Sequence, residues 1–137
     1  MIQANELRIG NLVNYTCSCN EVYPVKVKMI EYESCIHGED LSENYFCKKC
    51  GQNFYKLSFD FLSGIPITED ILLKAGFEKN GSYKEIKLNQ VSITIKLLDG
   101  EYFLVDASGW YGKGFIYLHS LQNLIYALTG TELTINL

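Results

Sequence analysis

Apolar and polar positions alternate along much of the chain, and the places where the period changes mark its elements. Over residues 22–30, Val25, Val27 and Met29 fall on one side and Lys26 and Lys28 on the other. A period of two is that of a half-buried strand. Residues 7–17 read as a turn followed by a strand, so 11–30 is expected to form a hairpin. Tyr55, Leu57 and Phe59 alternate again, predicting a strand over 53–60, and Gly64-Ile65-Pro66-Ile67 interrupts it. Asn80-Gly81 and Asp99-Gly100 are strong hairpin-turn dipeptides. Between them Val91, Ile93, Ile95 and Leu97 face one way, and Ser92, Thr94 and Lys96 the other. Residues 101–106 form the return strand, and Leu133 and Ile135 suit a last short strand.

Two segments carry helical signatures. Thr68 is placed to cap a helix whose first turn holds Glu69 and Asp70, acids that suit the positive end of the helix dipole. Ile67 and Leu72 have the spacing of a hydrophobic staple, and Gly76 fits the left-handed stop. Leu118, Leu121, Leu124, Ile125 and Leu128 form a stripe that ends at Gly130. His119, Gln122 and Asn123 then lie on the polar side of that helix, and we read them as a solvated face.

These elements predict an α+β protein, one compact domain over 1–137 with two lobes. Lobe 1–67 is expected to be a small SH3-like curled β-sheet with a zinc-stapled insertion. Lobe 68–137 is expected to be a helix, a β-meander and a second helix.

Composition adds exclusions. The chain is 47% hydrophobic and 20% charged, as a globular protein is. Its net charge is −4, from 12 Lys+Arg against 16 Asp+Glu. Residues 1–60 hold six and eight of these, and residues 61–137 the other six and eight, so no basic face stands out. Tyr23, Lys26, Lys28, Lys48 and Lys49 are the only candidates for a single-strand nucleic-acid surface, and the acidic surroundings count against it. No apolar run approaches the roughly 20 residues that cross a bilayer. Charges follow the initial Met where a signal peptide needs an apolar run, which predicts a cytoplasmic protein without a membrane partner.

The five cysteines carry the most specific chemistry. Cys47-Lys48-Lys49-Cys50-Gly51 has the form of a zinc knuckle, two thiolates on one tight turn. Tetrahedral zinc needs four ligands, and two pairs compete to complete the set: Cys17 with Cys19, or Cys35 with His37. If strand 22–30 turns at 31–34 and the chain runs back beside it, residues 43–50 return to Cys17 and Cys19. If one long strand reaches residue 36 and pairs with 53–60, the knuckle lies beside Cys35 and His37. We favour the first arrangement, because its two Cys pairs meet at the end of the more strongly patterned hairpin. A four-cysteine shell leaves no open position, so the expected zinc is structural.

No HExxH, no GxSxG and no carboxylate pair at a telling spacing occurs, so an enzyme is not expected. The segment from Asp106 to Gly114 reads as a glycine-rich loop. Trp110 and Tyr111 offer flat surfaces and Lys113 a cation, a set that suits a nucleotide-like ligand, although an irregular connection that anchors an aromatic in the core is the favoured reading.

Three blocks carry a resemblance: Asn5-Glu-Leu-Arg-Ile-Gly-Asn-Leu-Val, then Gly64 to Glu78, then Leu118 to Leu133. Together they resemble a set of uncharacterised small proteins of phages, prophages and mobile elements of gut Bacteroidetes. The resemblance implies a genomic context and brings no activity or site residues with it. The cysteine-bearing segment 31–52 is longer than is usual in that set, which makes the zinc a local staple. The expected function is a non-catalytic accessory protein that binds a host or phage protein, for instance in counter-defence. The alternative is a small-molecule binder that sequesters a nucleotide-derived signal.

Overall fold

A computed structural model of the chain describes residues 2–31, 35–41, 44–106 and 109–137, with 110 and 111 described by their backbone alone. The protein is mostly β, with two five-stranded antiparallel sheets and two short helices, an α+β composition. It divides into two compact units, Met1–Ile65 and Pro66–Leu137, each with one sheet. No helix among the described residues is long and apolar enough to cross a membrane.

In the first unit the strands are β1 (Leu12–Thr16), β2 (Val22–Glu31), β3 (Cys35–Asp40), β4 (Leu57–Ser58) and β5 (Leu62–Ser63), in the order β4-β3-β2-β1-β5. β1 and β2 form the expected hairpin, with Val13 opposite Val25 and Thr16 opposite Val22. Val13, Val25, Val27, Ile36, Phe54 and Leu57 make the centre of the core. Burying side chains of this size contributes roughly 1.5–3 kcal/mol each.

Strict alternation fails at Met29, which is 52% exposed. The register between β2 and β3 shifts between Val27 and Met29, so two consecutive residues, Lys28 and Met29, turn outward. Such a bulge swaps the faces of the strand beyond it. Ile30 now packs on the core, and Glu31 shares the outer face with Met29. Only Leu57–Ser58 of the expected 53–60 strand is strand. The Ser58 hydroxyl accepts from the Asp60 amide and starts a single 3-10 turn over Phe59–Phe61.

In the second unit, α1 (Glu69–Lys74) is capped as expected: Thr68 Oγ1 accepts from the Ile71 amide, and Gly76 has φ +98. A meander follows: β6 (Glu78–Asn80), β7 (Tyr83–Leu88), β8 (Val91–Leu98), β9 (Glu101–Asp106) and β10 (Gly109–Phe115). Asp99 and Gly100 both take positive φ between β8 and β9, the mirror-image turn that suits a hairpin. Asn89 and Gln90 do the same between β7 and β8, although glutamine gives no turn signal.

From Gly109 on, the segment read as a glycine-rich loop is in fact strand. Trp110 pairs with Val105 and Tyr111 with Leu104, and the register then shifts before Phe115 meets Tyr102. A Cβ at Gly114 would lie 2.8 Å from Phe103 Cζ and 2.9 Å from Glu101 Cβ. That glycine therefore serves the protein's own packing. Gly114→Ala is expected to destabilise the protein by about 1–3 kcal/mol in chemical denaturation; an unchanged midpoint would show that β10 does not lie against β9 there.

α2 (Leu118–Thr129) ends at Gly130 in the left-handed conformation. Its buried side is Leu118, His119, Leu121, Gln122, Ile125 and Thr129. Leu124 is only half-buried and Leu128 is exposed, so the stripe is rotated from the one the leucines suggest. His119 and Gln122, read as solvated, are 1% and 2% exposed. Leu133 and Ile135 are buried without forming a strand.

Candidate metal centre

The turn after β1 is built by the first cysteine pair. Cys17 N donates to Glu21 O, Asn20 N donates to Cys17 O, and Asn20 takes φ +65. β2 then leaves, β3 returns antiparallel to it, and the chain arrives at the second pair beside the first. There Phe46 bridges Asn53, Cys47 N donates to Gln52 O, Gly51 N donates to Cys47 O, and Gly51 has φ +78. Two tight turns thus face each other, and Lys49 reaches Glu21 across them at 2.7 Å.

All four sulfurs of Cys17, Cys19, Cys47 and Cys50 lie within 4.8 Å of one another. Cys17 Sγ is 3.2 Å from Cys50 Sγ, and Cys19 Sγ is 3.7 Å from Cys47 Sγ. Four thiolates at about 2.3 Å from a tetrahedral zinc stand about 3.8 Å apart, so the donor set has the size of that shell. All five cysteines are free thiols.

The electrostatics also favour a cation. Burial pushes the Cys47 thiol up, but the Tyr23 hydroxyl at 3.1 Å and the Cys50 and Lys49 amides outweigh it and bring it down to about 6. The Glu21 amide favours a Cys19 thiolate, yet burial and the three neighbouring sulfurs prevail and push it up to about 12. Tyr23 is likewise raised, chiefly because its proton is committed to Cys47. One thiolate therefore forms readily and opposes the next, the coupling expected of like charges a few ångströms apart. A divalent cation removes the conflict, because thiolates bind it with loss of their protons.

Two further residues complete the surroundings. Gln52 Oε1 accepts from Cys17 Sγ at 3.1 Å and from Ser18 Oγ at 2.9 Å, and Gln52 Nε2 donates to Tyr15 OH at 2.7 Å. Such partners orient metal ligands. Neither Gln52 nor Tyr23 has a spacing rule that marks it in the sequence. Tyr23, once a candidate for base stacking, instead packs against Phe54 and faces the sulfurs. Lys28 and Lys49 are ion-paired with Glu39 and Glu21.

Cys35 and His37 sit elsewhere. Cys35 pairs with Glu31 at the far end of β2, whereas Cys17 and Cys19 flank the end that begins at Val22. A ten-residue strand separates the two ends by roughly 25–30 Å. The competing ligand set that joined Cys35 and His37 to Cys47 and Cys50 is excluded by this topology. Of the 108–114 set, Lys113 is exposed; the side chains of Trp110 and Tyr111, and Ser108, lie outside the described residues.

No family model, no curated protein and no solved structure matches the chain.

Proposed function

We propose that this protein is a non-catalytic, zinc-stapled binding module that docks another protein on the outer face of its first sheet. On this reading Cys17, Cys19, Cys47 and Cys50 hold one structural zinc, and the cysteine-bearing segment is an insertion into an SH3-like curled sheet. The strand order supports that likeness, since β1 pairs with both β2 and β5 and a 3-10 turn lies between β4 and β5.

The observation that carries the docking reading is a groove of about 520 Å³ lined by Lys28, Met29, His37, Tyr45, Asn53 and Tyr55. Tyr45 is 57% exposed and Tyr55 62%, beside the outward-turned Met29. Exposed aromatics and methionine gathered at one place are the composition of a protein-binding surface. A role in a phage or mobile element, acting on a host or phage protein inside the cell, fits the resemblance of the three sequence blocks.

Affinity capture from host cells tests the reading. The wild type is expected to enrich a protein that a Tyr45→Ser/Tyr55→Ser variant of unchanged melting temperature fails to retain. Equal capture by both would overturn the groove as the docking surface. A nucleotide released from the purified wild type, with no protein enriched, would instead support the small-molecule alternative.

A further inference from the structure

The geometry points to a second metal site, formed by Glu31, Cys35 and His37 at the end of β2 opposite the four cysteines, that takes a zinc-like divalent ion and keeps one coordination position open. The site begins at the bulge in β2. With strict alternation Glu31 would follow Val25 and Val27 onto the core face. The extra outward residue at Lys28 and Met29 turns Glu31 onto the other side of the sheet. Cys35 stands directly opposite it across the ladder, and His37 is two residues along the same face, opposite Met29. Ile36, between them, is fully buried on the core side. Bulges are commonly used to re-aim a side chain into a site.

The donor atoms of these three residues also lie within 4.8 Å of one another. Glu31 Oε2 is 3.1 Å from His37 Nε2 and 3.6 Å from Cys35 Sγ. In a tetrahedral zinc shell, ligand distances of about 2.0–2.2 Å for oxygen and nitrogen and 2.3 Å for sulfur put O···N near 3.4 Å and O···S near 3.6 Å. One carboxylate oxygen therefore meets a nitrogen and a sulfur at nearly the separations a shared cation requires. The remaining contacts are those that orient ligands. Lys56 Nζ stands 3.8 Å from Glu31 Oε1, leaving Oε2 for the other two donors. The His37 ring packs at a tilt against that of Tyr55 with centroids 4.3 Å apart, which restrains it.

One nitrogen, one sulfur and one carboxylate oxygen suit zinc and its neighbours, not magnesium or calcium. Binding replaces the Cys35 thiol proton, which leaves to solvent, and uses the Nε2 lone pair of a neutral His37 ring that carries its proton on Nδ1. Three protein ligands leave a fourth corner for water or a partner's side chain. The Glu31 side chain is 39% exposed, so that corner is reachable from outside. His37 also lines the docking groove, which places the ion at the edge of that surface.

The ligands of this site are separate from the four cysteines, and Cys35→Ser and His37→Ala tell the two sites apart, whereas Cys47→Ser is expected to unfold the unit that holds both. Wild-type protein is loaded with Zn²⁺, freed of excess ion and analysed for metal per chain, alongside Cys35→Ser, His37→Ala and Cys47→Ser. Two equivalents are expected in the wild type, falling to one in Cys35→Ser and in His37→Ala with melting temperature little changed. Loading with Co²⁺ adds a check: the first equivalent gives the charge-transfer band of a four-thiolate ion and the second the weaker band of a single thiolate. One equivalent in the wild type that Cys35→Ser retains and Cys47→Ser loses would overturn this site and leave the other standing. One equivalent that Cys35→Ser loses and Cys47→Ser retains would support this site and remove the other. Two equivalents retained in both Cys35→Ser and His37→Ala would overturn the assignment of these ligands.

Discussion

Removing the metal from the four-cysteine centre, by chelation or by Cys47→Ser, is expected to unfold the unit Met1–Ile65 outright. That unit has a small core, and its edge strands β4 and β5 are two residues each. A core in a domain of this size rarely contributes more than about 3–5 kcal/mol of net stability. Structural zinc in small domains contributes on the order of 10 kcal/mol at neutral pH. Without the ion the unit keeps at most the few kcal/mol its core supplies, and the clustered thiols count against that remainder. Cys17 and Cys47 also belong to the core cluster, so loss of the ion leaves opposed thiols where the chain needs a fixed crossing. Acid should act in the same direction. Thiolates held by a cation are deprotonated well below their ordinary range, so stability present at neutral pH is lost as pH falls and protons displace the metal.

The check is residue-specific: amide dispersion in the first unit should collapse, and trypsin should cut after Lys26, Lys28, Lys48 and Lys49. Full dispersion in metal-free protein would show that the sulfurs are an ordinary thiol cluster and not a staple.

The second large effect belongs to α2. Leu121→Ala is expected to lower stability by roughly 2–5 kcal/mol, because Leu121 is 0% exposed and truncation leaves a cavity. For a domain of this size the melting temperature should fall by roughly 10 °C or more. Leu124→Ala removes the same atoms from a half-buried position and should cost much less. The ratio of the two reads the orientation of the helix directly. Equal losses would mean that the apolar stripe runs through Leu124, as the leucine spacing alone suggests. His119→Ala, near neutral on a solvated face, should also destabilise, since the ring is buried beside Tyr117.

Local chemistry is what the sequence by itself determined. The helix starting after Thr68, its stop at Gly76, the stop of α2 at Gly130 and the Asp99-Gly100 turn are all where the residues put them. Each depends on one side chain or one positive φ acting within four residues, so no distant contact is needed. The pairing of Cys17 and Cys19 with Cys47 and Cys50 was legible at one remove. It followed once the 11–30 hairpin was granted and β3 was taken to return beside β2.

Tertiary structure decided everything that depends on which face meets the core. In α2, leucines at 118, 121, 124, 125 and 128 allow two overlapping stripes. The one chosen buries His119 and Gln122 because α2 lies on β8, and a side chain's surroundings outweigh its polarity. The Asp106 to Gly114 segment looks like a loop by composition, yet from Gly109 on it pairs with β9, although glycine weakens a strand interior. Above all, the bulge at Lys28 and Met29 leaves only a faint mark in the sequence: Val25, Val27 and Met29 alternate cleanly, and the phase slips only where apolar Ile30 follows Met29 and Glu31 would fall on the core side. A one-residue change of register reverses every side chain beyond it. That reversal turns Met29 out to the groove and brings Glu31 beside Cys35 and His37.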